Sequence, residues 1–469
     1  MKKTKIICSI GPASVPVDVM KKMVDGGMNV ARINFSHATL EERQAVVASV
    51  KEVRKLTGKQ IAILYDTKGP EFRGGVVENG AIELVEGEKI KIVKSSIVGT
   101  KEAISVNQPQ ALDSLKVGDY VFLVNGLLKV QVTSIIDEGV ECKIINGGIL
   151  GSRKSMCAPG VKLDIPFMSN DDREDIIYAC EHDGDFIALS FVTCKEDVLE
   201  ARKLVKEHGR EDIKLIAKIE SQTAYDRIDE IVEVSDGVMV GRGDLGDEIE
   251  IGKLPVYQKN IIKKCREKGK FVIVATEMME SMIKNARPTR AEVSDVSNAV
   301  FDGTDAVMLS GETTLGSHPV EVVSFMGKIS TEADKNYLDH NQVFDYEYYD
   351  TCDLVAKSVV SAAEDLNVKV IVAATMSGFT ARKISNLKPA APILAAVPND
   401  RVARSLVLNW GVYPVVTGEY GTTDELVQDA IKRAKEFADL KKGDKIIITG
   451  GFPNTGTKAT NFMKIEEIK

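Results

Sequence analysis

Lys214-Leu215-Ile216-Ala217-Lys218-Ile219-Glu220 is the stretch on which the fold turns. It is an apolar run of strand length that ends on charge, and a helical stretch follows it. The same pattern recurs downstream. Gly237–Gly241 runs into Arg242 and Asp244, Phe271–Ala275 into Thr276 and Glu277, and Ala306–Leu309 into Ser310 and Glu312. Upstream it recurs at Lys5–Ile10, Asn29–Asn34, Gln60–Tyr65 and Phe186–Phe191. Helical periodicity lies between most of these runs, at Val17–Asp25, Leu40–Thr57, Lys195–Glu207, Pro255–Lys268 and Arg290–Phe301. Eight strands alternating with helices predict a (β/α)8 TIM barrel.

One gap breaks the rhythm. Between the third and fourth runs, Gly69 to Pro166 alternates in period two with Gly-rich turns, as in Ala81–Ile92, Tyr120–Ile136 and Val140–Asn146. That texture predicts an all-β, barrel-like domain inserted into a βα loop, with turn residues at both ends. After the acidic, aromatic linker Asn341–Asp350, runs at Lys369–Ala374, Pro392–Val397, Tyr413–Val416 and Lys445–Thr449 alternate with helical stretches. They predict a second α/β unit with a mainly parallel sheet. The expected division is residues 1–68 with 167–340 for the barrel, 69–166 for the insertion and 341–469 for the C-terminal unit.

Composition agrees and excludes much. A chain of 469 residues suits about three domains. With 44% hydrophobic and 28% charged residues, wholesale disorder and collagen are ruled out. A net charge of −8 supplies no positive field for nucleic acid or anionic membrane. Apolar runs fall far short of the roughly 20 residues a membrane helix needs. Met1-Lys2-Lys3 mimics a signal n-region, but the apolar stretch after it ends at Gly11-Pro12, so no secretion signal is expected. Seven scattered cysteines without a CxxC pair point to reduced thiols in a cytoplasm rather than to bridges or zinc.

Two motifs mislead. Gly241-Arg242-Gly243-Asp244-Leu245-Gly246 matches the dinucleotide fingerprint in form, yet its Asp244 would face a pyrophosphate and it follows the sixth strand rather than the first. Gly451–Lys458 looks like a P-loop, but Thr457 separates Gly456 from Lys458 and no hydroxyl residue follows the lysine.

In a barrel the chemistry sits where strands end. Strand two delivers Arg32, Asn34, Ser36 and His37, and strand three delivers Asp66, Thr67 and Lys68. Ser190, Lys218, Glu220, Arg242, Asp244, Thr276, Glu277, Ser310 and Glu312 follow from the later strands. Any one acidic residue there could simply cap the next helix; so many together at one mouth are not explained that way. Glu220 and Asp244 are hard oxygen ligands suited to Mg²⁺ completed by water and substrate. Asn34, Ser36, Asp66 and Thr67 form an all-oxygen set with one formal charge, which suits a monovalent cation. Arg32, Arg73 and Lys218 suit phosphate oxygens. Cations, an oxygen-bound metal and no obvious nucleophile read as phosphoryl transfer by positioning and electrostatic stabilisation.

These residues, with Ile7–Ser14, Arg32–His37, Asp66–Glu71, Ala217–Glu220, Arg242–Gly246, Ala275–Met282 and Arg287–Glu292, resemble the pyruvate kinase family across the whole chain. The resemblance implies a cytosolic glycolytic enzyme that moves the phosphoryl group of phosphoenolpyruvate to ADP. It also implies that the insertion is a mobile lid, that the C-terminal unit is regulatory and that the assembly is a homotetramer. It assigns Glu220 and Asp244 to Mg²⁺ (with Mn²⁺ as a substitute), and Asn34, Ser36, Asp66 and Thr67 to K⁺. Arg32, Lys218, Gly243, Asp244 and Thr276 would meet phosphoenolpyruvate, with Lys218 along the transferred phosphoryl and Thr276 positioning or relaying a proton to the enolate. Asn34, Ser36, His37, Arg73 and Lys154 would meet the nucleotide. Thr375, Ser377, Gly378, Thr380 and Lys458 would hold a phosphorylated-sugar effector. Glu71 marks members that need K⁺, on the expectation that its carboxylate leaves the cation cage without a built-in counter-charge.

Several positions depart from the family pattern. Glu277 stands where Gln is usual and Gly241 where Ala is usual. The lid turn reads Val124-Asn125-Gly126 without its first acid, and Lys154-Ser155-Met156-Cys157-Ala158-Pro159 replaces a Lys-Gly-Val-Asn-Leu-Pro stretch. Phe379 stands where some bisphosphate-responsive members carry Arg. A metal-dependent lyase or aldolase would need neither the insertion nor the monovalent set. A catalytically silent phosphate sensor would be expected to have lost Lys218 or a metal carboxylate.

Overall fold

The computed structural model describes residues 1–337, 350–452 and 459–469. Nearly all of the expected linker and the P-loop-like segment, with Lys458, lie outside the described residues. Eight parallel strands close into a barrel: Lys5–Ser9, Val30–Asn34, Ala62–Asp66, Phe186–Leu189, Lys214–Ile219, Gly237–Gly241, Phe271–Ala275 and Ala306–Leu309. The first pairs with the second on one side and with the eighth on the other, and so completes the ring. They are the eight runs read from the sequence, with five ends moved by one or two residues. The third starts at Ala62 and reaches Asp66. The fourth stops at Leu189 because Phe191 enters the left-handed region at φ 55°.

Local chemistry sets the helices between them. The helix Leu40–Thr57 opens on a capping box between Thr39 and Glu42 and closes on Gly58 at φ 65°. Its Val46, Val47, Val50 and Val53 lie on the buried stripe against the barrel.

Alternation along the strands positions the site. Ile7, Val30, Leu64, Ala188, Ile216 and Met239 fill the barrel interior, where Val407 and Leu408 of the C-terminal unit join them. Two residues further along each of these strands, the same parity delivers Ser9, Arg32, Asp66, Ser190, Lys218 and Gly241 to the mouth. A period of two thus converts an apolar core layer into a polar reaction layer.

The insertion is mostly β, rather than the all-β domain expected, with 3-10 turns at Glu78–Gly80 and Pro109–Ser114 and its own core around Ile92, Val121, Val130 and Val140. A six-stranded sheet runs in the order Met156–Cys157, Tyr120–Leu123, Leu128–Ile136, Gly139–Asn146, Lys89–Val93 and Ala103–Ser105. Ala81–Leu84 pairs with Gly148–Gly151 beside it. The C-terminal unit holds a five-stranded sheet ordered Val412–Val416, Ile393–Val397, Val370–Ala374, Lys445–Gly450 and Phe462–Glu467. The last strand, antiparallel and at the edge, is absent from the sequence reading. Its residues Met463, Lys464 and Ile465 are exposed, so no clean alternation marked it.

Charged contacts join the C-terminal unit to the barrel. Arg404 reaches Asp185 at 2.8 Å and Asp183 at 3.1 Å, and the fully buried Lys388 pairs with Asp305 at 2.9 Å.

Candidate active site

Lys218 stands at the centre of the mouth. Its Nζ lies 2.9 Å from Glu220 Oε1 and 3.2 Å from Asp66 Oδ1, and it donates to Ser190 Oγ at 2.7 Å. Arg32 donates from Nε to Asp66 Oδ2 at 2.7 Å and from a terminal nitrogen to Ser9 Oγ at 2.6 Å. The second oxygen of Glu220 accepts the Phe191 backbone N–H at 2.8 Å. All these groups are buried or nearly so. Gly241 has a local reason to lack a side chain: a Cβ there would sit 2.7 Å from Glu220 Cγ.

The electrostatics follow from this packing. Burial opposes ionisation of Asp66, yet Lys218 and Arg32 hold its carboxyl below the ordinary range. Burial also opposes a charged Lys218, but Asp66 and Glu220 outweigh it and raise the ammonium well above its usual value. Glu220 is pushed up to about 7 by burial and by the like charge of Asp244, against the pull of Lys218. Two carboxylates that repel across a mouth are what a divalent cation relieves. Among the described residues no group of three or more His, Cys, Asp or Glu is arranged to hold a metal. An ion here would therefore take two protein carboxylates and fill its shell from substrate and water. The residues fit that use.

One cavity of about 200 Å³ gathers Arg32, Asn34, Ser36, His37, Asp66, Thr67, Lys218, Glu220, Asp244 and Thr276. Asn34, Ser36, Asp66 and Thr67 all reach it, although several of their oxygens already accept protein donors. Asn34 Oδ1 takes the Ser36 N–H at 3.0 Å, and Thr67 Oγ1 takes the Ser190 N–H at 3.1 Å. Each such oxygen keeps a second lone pair, so the set can still meet a weakly demanding monovalent cation. Beyond it a cleft of about 310 Å³ opens between insertion and barrel, sharing Glu71, Arg73, Phe191, Glu220 and Asp244 with the first cavity. The insertion touches the barrel there, where Cys157 Sγ donates to the Asp247 carbonyl at 3.6 Å.

Three expectations need revision or a narrower role. Glu71 is not left without a counter-charge, because Arg73 binds it bidentately at 2.6 and 2.9 Å. Lys154 is exposed in the insertion and lines neither cavity; its stem lies over Gly151, whose Cβ would meet Lys154 Cε at 3.1 Å. The Thr276 hydroxyl donates to the Ala275 carbonyl at 2.6 Å and accepts the Gly243 N–H at 2.8 Å. With its proton on the backbone carbonyl, this hydroxyl is placed to orient a bound group more than to deliver a proton.

Thr375, Ser377 and Gly378 lie between the strand Val370–Ala374 and the helix Phe379–Asn386, and Thr380 lies in the first turn of that helix. Gly378 takes φ 80° at the helix start, and Thr380 Oγ1 bonds Thr460 Oγ1 at 2.7 Å. Arg382, given no role from the sequence, donates to the Ser377 carbonyl there at 2.8 Å. In the sequence Ser190 marks only a strand end. Its parity with Ala188 was the signal that it faces Lys218.

A family model described as pyruvate kinase, barrel domain, matches residues 1–323, and one described as pyruvate kinase, alpha/beta domain, matches residues 353–466. A pyruvate kinase of Geobacillus stearothermophilus is 45% identical over 473 residues, spanning all of this chain and 80% of that protein. A pyruvate kinase of Clostridium acetobutylicum is 41% identical over 474 residues, spanning both chains in full. A crystal structure of a pyruvate kinase from Cryptosporidium parvum superposes with a TM-score of 0.93 at 37% identity, covering 100% of this chain and 96% of that one. The chain belongs to the pyruvate kinase family.

Proposed function

We infer that the chain transfers the phosphoryl group of phosphoenolpyruvate to ADP, giving pyruvate and ATP. The observation that carries this reading is the convergence of Arg32, Lys218, Glu220, Asp244 and Thr276 in one cavity that opens into the cleft beneath the insertion. A coupled assay for pyruvate formed from phosphoenolpyruvate and ADP tests it. No pyruvate at saturating Mg²⁺ and K⁺ refutes it.

Each group has a physical role. The phosphoryl in flight spreads negative charge over its equatorial oxygens. Lys218, fixed by Ser190, Asp66 and Glu220, presents an ammonium to that charge without needing to reorganise. Arg32 is held by Asp66 and Ser9 so that it offers its remaining donors to phosphate oxygens. The short helix Arg242–Glu248 opens beside Thr276, whose hydroxyl takes the Gly243 N–H, so of its first backbone N–H groups that of Asp244 would meet the substrate carboxylate. Thr276 sits against this helix end and orients the enolate side of the substrate. The proton for the enolate then comes through water.

Glu220 and Asp244 would hold Mg²⁺, or Mn²⁺ in its place. Asn34, Ser36, Asp66 and Thr67 would hold K⁺. A divalent ion held there would supply positive charge to offset the negative charge that develops on transfer. Arg73, with Asn34, Ser36 and His37, would meet the nucleotide from the cleft once Glu71 yields part of its hold. Lys154 would join them only if the insertion moves.

A cytoplasmic homotetramer with a phosphorylated-sugar effector at Thr375–Thr380 completes the proposal. Among the described residues no helix is long and apolar enough to cross a membrane.

A further inference from the structure

The turn after the seventh barrel strand is unusual in its backbone. Thr276 at φ 69° and Glu277 at φ 52° are consecutive non-glycine residues in the left-handed region. Side chains there crowd the backbone, so such a pair persists only where its surroundings impose it. Downstream, Met278 and Met279 are fully buried and the Met279 N–H donates to Glu312 at 3.1 Å, so the exit from the turn is also fixed.

One side chain grips both carbonyls of this turn. Arg242 donates to the Thr276 carbonyl from Nε at 3.2 Å and from a terminal nitrogen at 2.7 Å. That same terminal nitrogen donates to the Glu277 carbonyl at 3.0 Å. The other terminal nitrogen is held by both oxygens of Asp295, at 2.8 and 2.9 Å. Arg242 is buried, whereas the Asp295 side chain is 36% exposed. All three of the guanidinium's nitrogens are thus used, and none points into the substrate cavity, which Arg242 does not line.

We propose that Arg242, anchored by Asp295, is a positioning residue for the phosphoryl transfer. It locks the left-handed Thr276–Glu277 turn so that the Thr276 hydroxyl stays on the Gly243 N–H. The clamp couples two substrate-facing elements, the turn after strand seven and the helix start after strand six. Without it the carbonyls of both turn residues lose their donors and the turn relaxes toward ordinary φ. That displaces Thr276 by a fraction of a turn, and misplacement on the scale of 1 Å is enough to cost about a hundredfold in rate. This inference rests on the reading of Thr276 as a group that meets the substrate. That reading fails separately if Thr276→Val keeps full activity.

The test uses the full chain and a rescue. Arg242→Met is expected to lower kcat about 30- to 100-fold, with KM for ADP changed less than about threefold, because the nucleotide cleft lies elsewhere. Glu277→Gly relieves the left-handed strain at one of the two residues. In the Arg242→Met background it is expected to restore kcat about tenfold, which a merely structural defect would not allow. Should Arg242→Met fail to fold, Asp295→Asn carries the same test from a half-exposed position, with a loss of about fivefold and the same direction of rescue. Folded fractions are matched by thermal unfolding before rates are compared. Wild-type kcat in Arg242→Met or Asp295→Asn overturns the proposal. So does a loss that Glu277→Gly leaves untouched, or one that falls equally on KM for ADP.

Discussion

Replacing Lys218 by Met keeps the stem and removes the charge, and the structure sets the size of the effect. The ammonium lies 2.9 Å from one carboxylate and 3.2 Å from another. At an effective dielectric constant of about 20, each contact carries about 5–6 kcal/mol of gross attraction. Desolvation of the buried ammonium takes back much of that in the resting protein. The transferring phosphoryl adds negative charge at the same point, and only that addition enters the rate. Losing a donor aimed at developing charge costs about 3–4 kcal/mol, so kcat is expected to fall about 10²- to 10³-fold. A second consequence follows from the neighbours. Glu220, already raised to about 7, loses the cation that restrains it and rises further. Divalent-metal activation in Lys218→Met therefore shifts to higher pH. Steady-state kinetics at saturating substrates, with Mg²⁺ titrated between pH 6 and 9, reads both effects. A kcat within about tenfold of wild type, or an unmoved metal–pH profile, refutes the assignment of Lys218 to the moving phosphoryl.

Four further outcomes are expected. Replacing K⁺ by tetramethylammonium at constant ionic strength should lower activity at least about tenfold, equivalent to about 1.4 kcal/mol, and unchanged activity removes the assignment of Asn34, Ser36, Asp66 and Thr67. Glu71→Lys should relieve part of that dependence, and because it also breaks the bidentate hold on Arg73 it should change KM for ADP; activity that needs K⁺ as before contradicts it. Glu248 is pushed up to about 7 by burial and by Asp247, so the fold favours its protonated form. Its contribution is present below the unfolded value of about 4.5 and is lost as pH rises toward 7, up to about 3 kcal/mol. Melting temperatures of the metal-free protein should therefore fall less steeply between pH 5 and 7.5 in Glu248→Gln than in wild type, and parallel curves sink the idea. With Phe379 where an arginine would grip a second phosphate, a sugar monophosphate should activate better than a bisphosphate. Strong activation by micromolar fructose 1,6-bisphosphate that survives Lys458→Ala would falsify this.

The barrel was legible because its strands are buried on both faces, which leaves apolar runs of strand length between helices. The mouth was legible for a related reason. Once a strand's inward parity is known, the next residue of that parity beyond the core layer must face the reaction space, and Lys218, Asp66 and Arg32 follow by counting. What counting does not supply is how those side chains spend their bonds. Arg73 and Glu71 are two residues apart, and in an extended segment that spacing alone places them on one face. Their ion pair is therefore within reach of the sequence, whereas the cation cage beside it is not implied by that spacing. Thr276 is the opposite case. No spacing announces that its hydroxyl proton goes to the carbonyl of Ala275, or that two left-handed residues follow a strand of five apolar ones. That geometry arises because Arg242, 34 residues away in the chain, offers its donors to the turn's carbonyls. Identity at the mouth is thus a property of strand parity, whereas orientation is a property of contacts between loops. Departures such as Glu277 and Gly241 fall in the second class. Gly241 leaves room for Glu220 to approach Lys218, and Glu277 occupies a backbone shape that its own side chain does not favour. Substitutions at such positions should alter rate and metal dependence while leaving the fold intact, because the parity that builds the mouth does not pass through them.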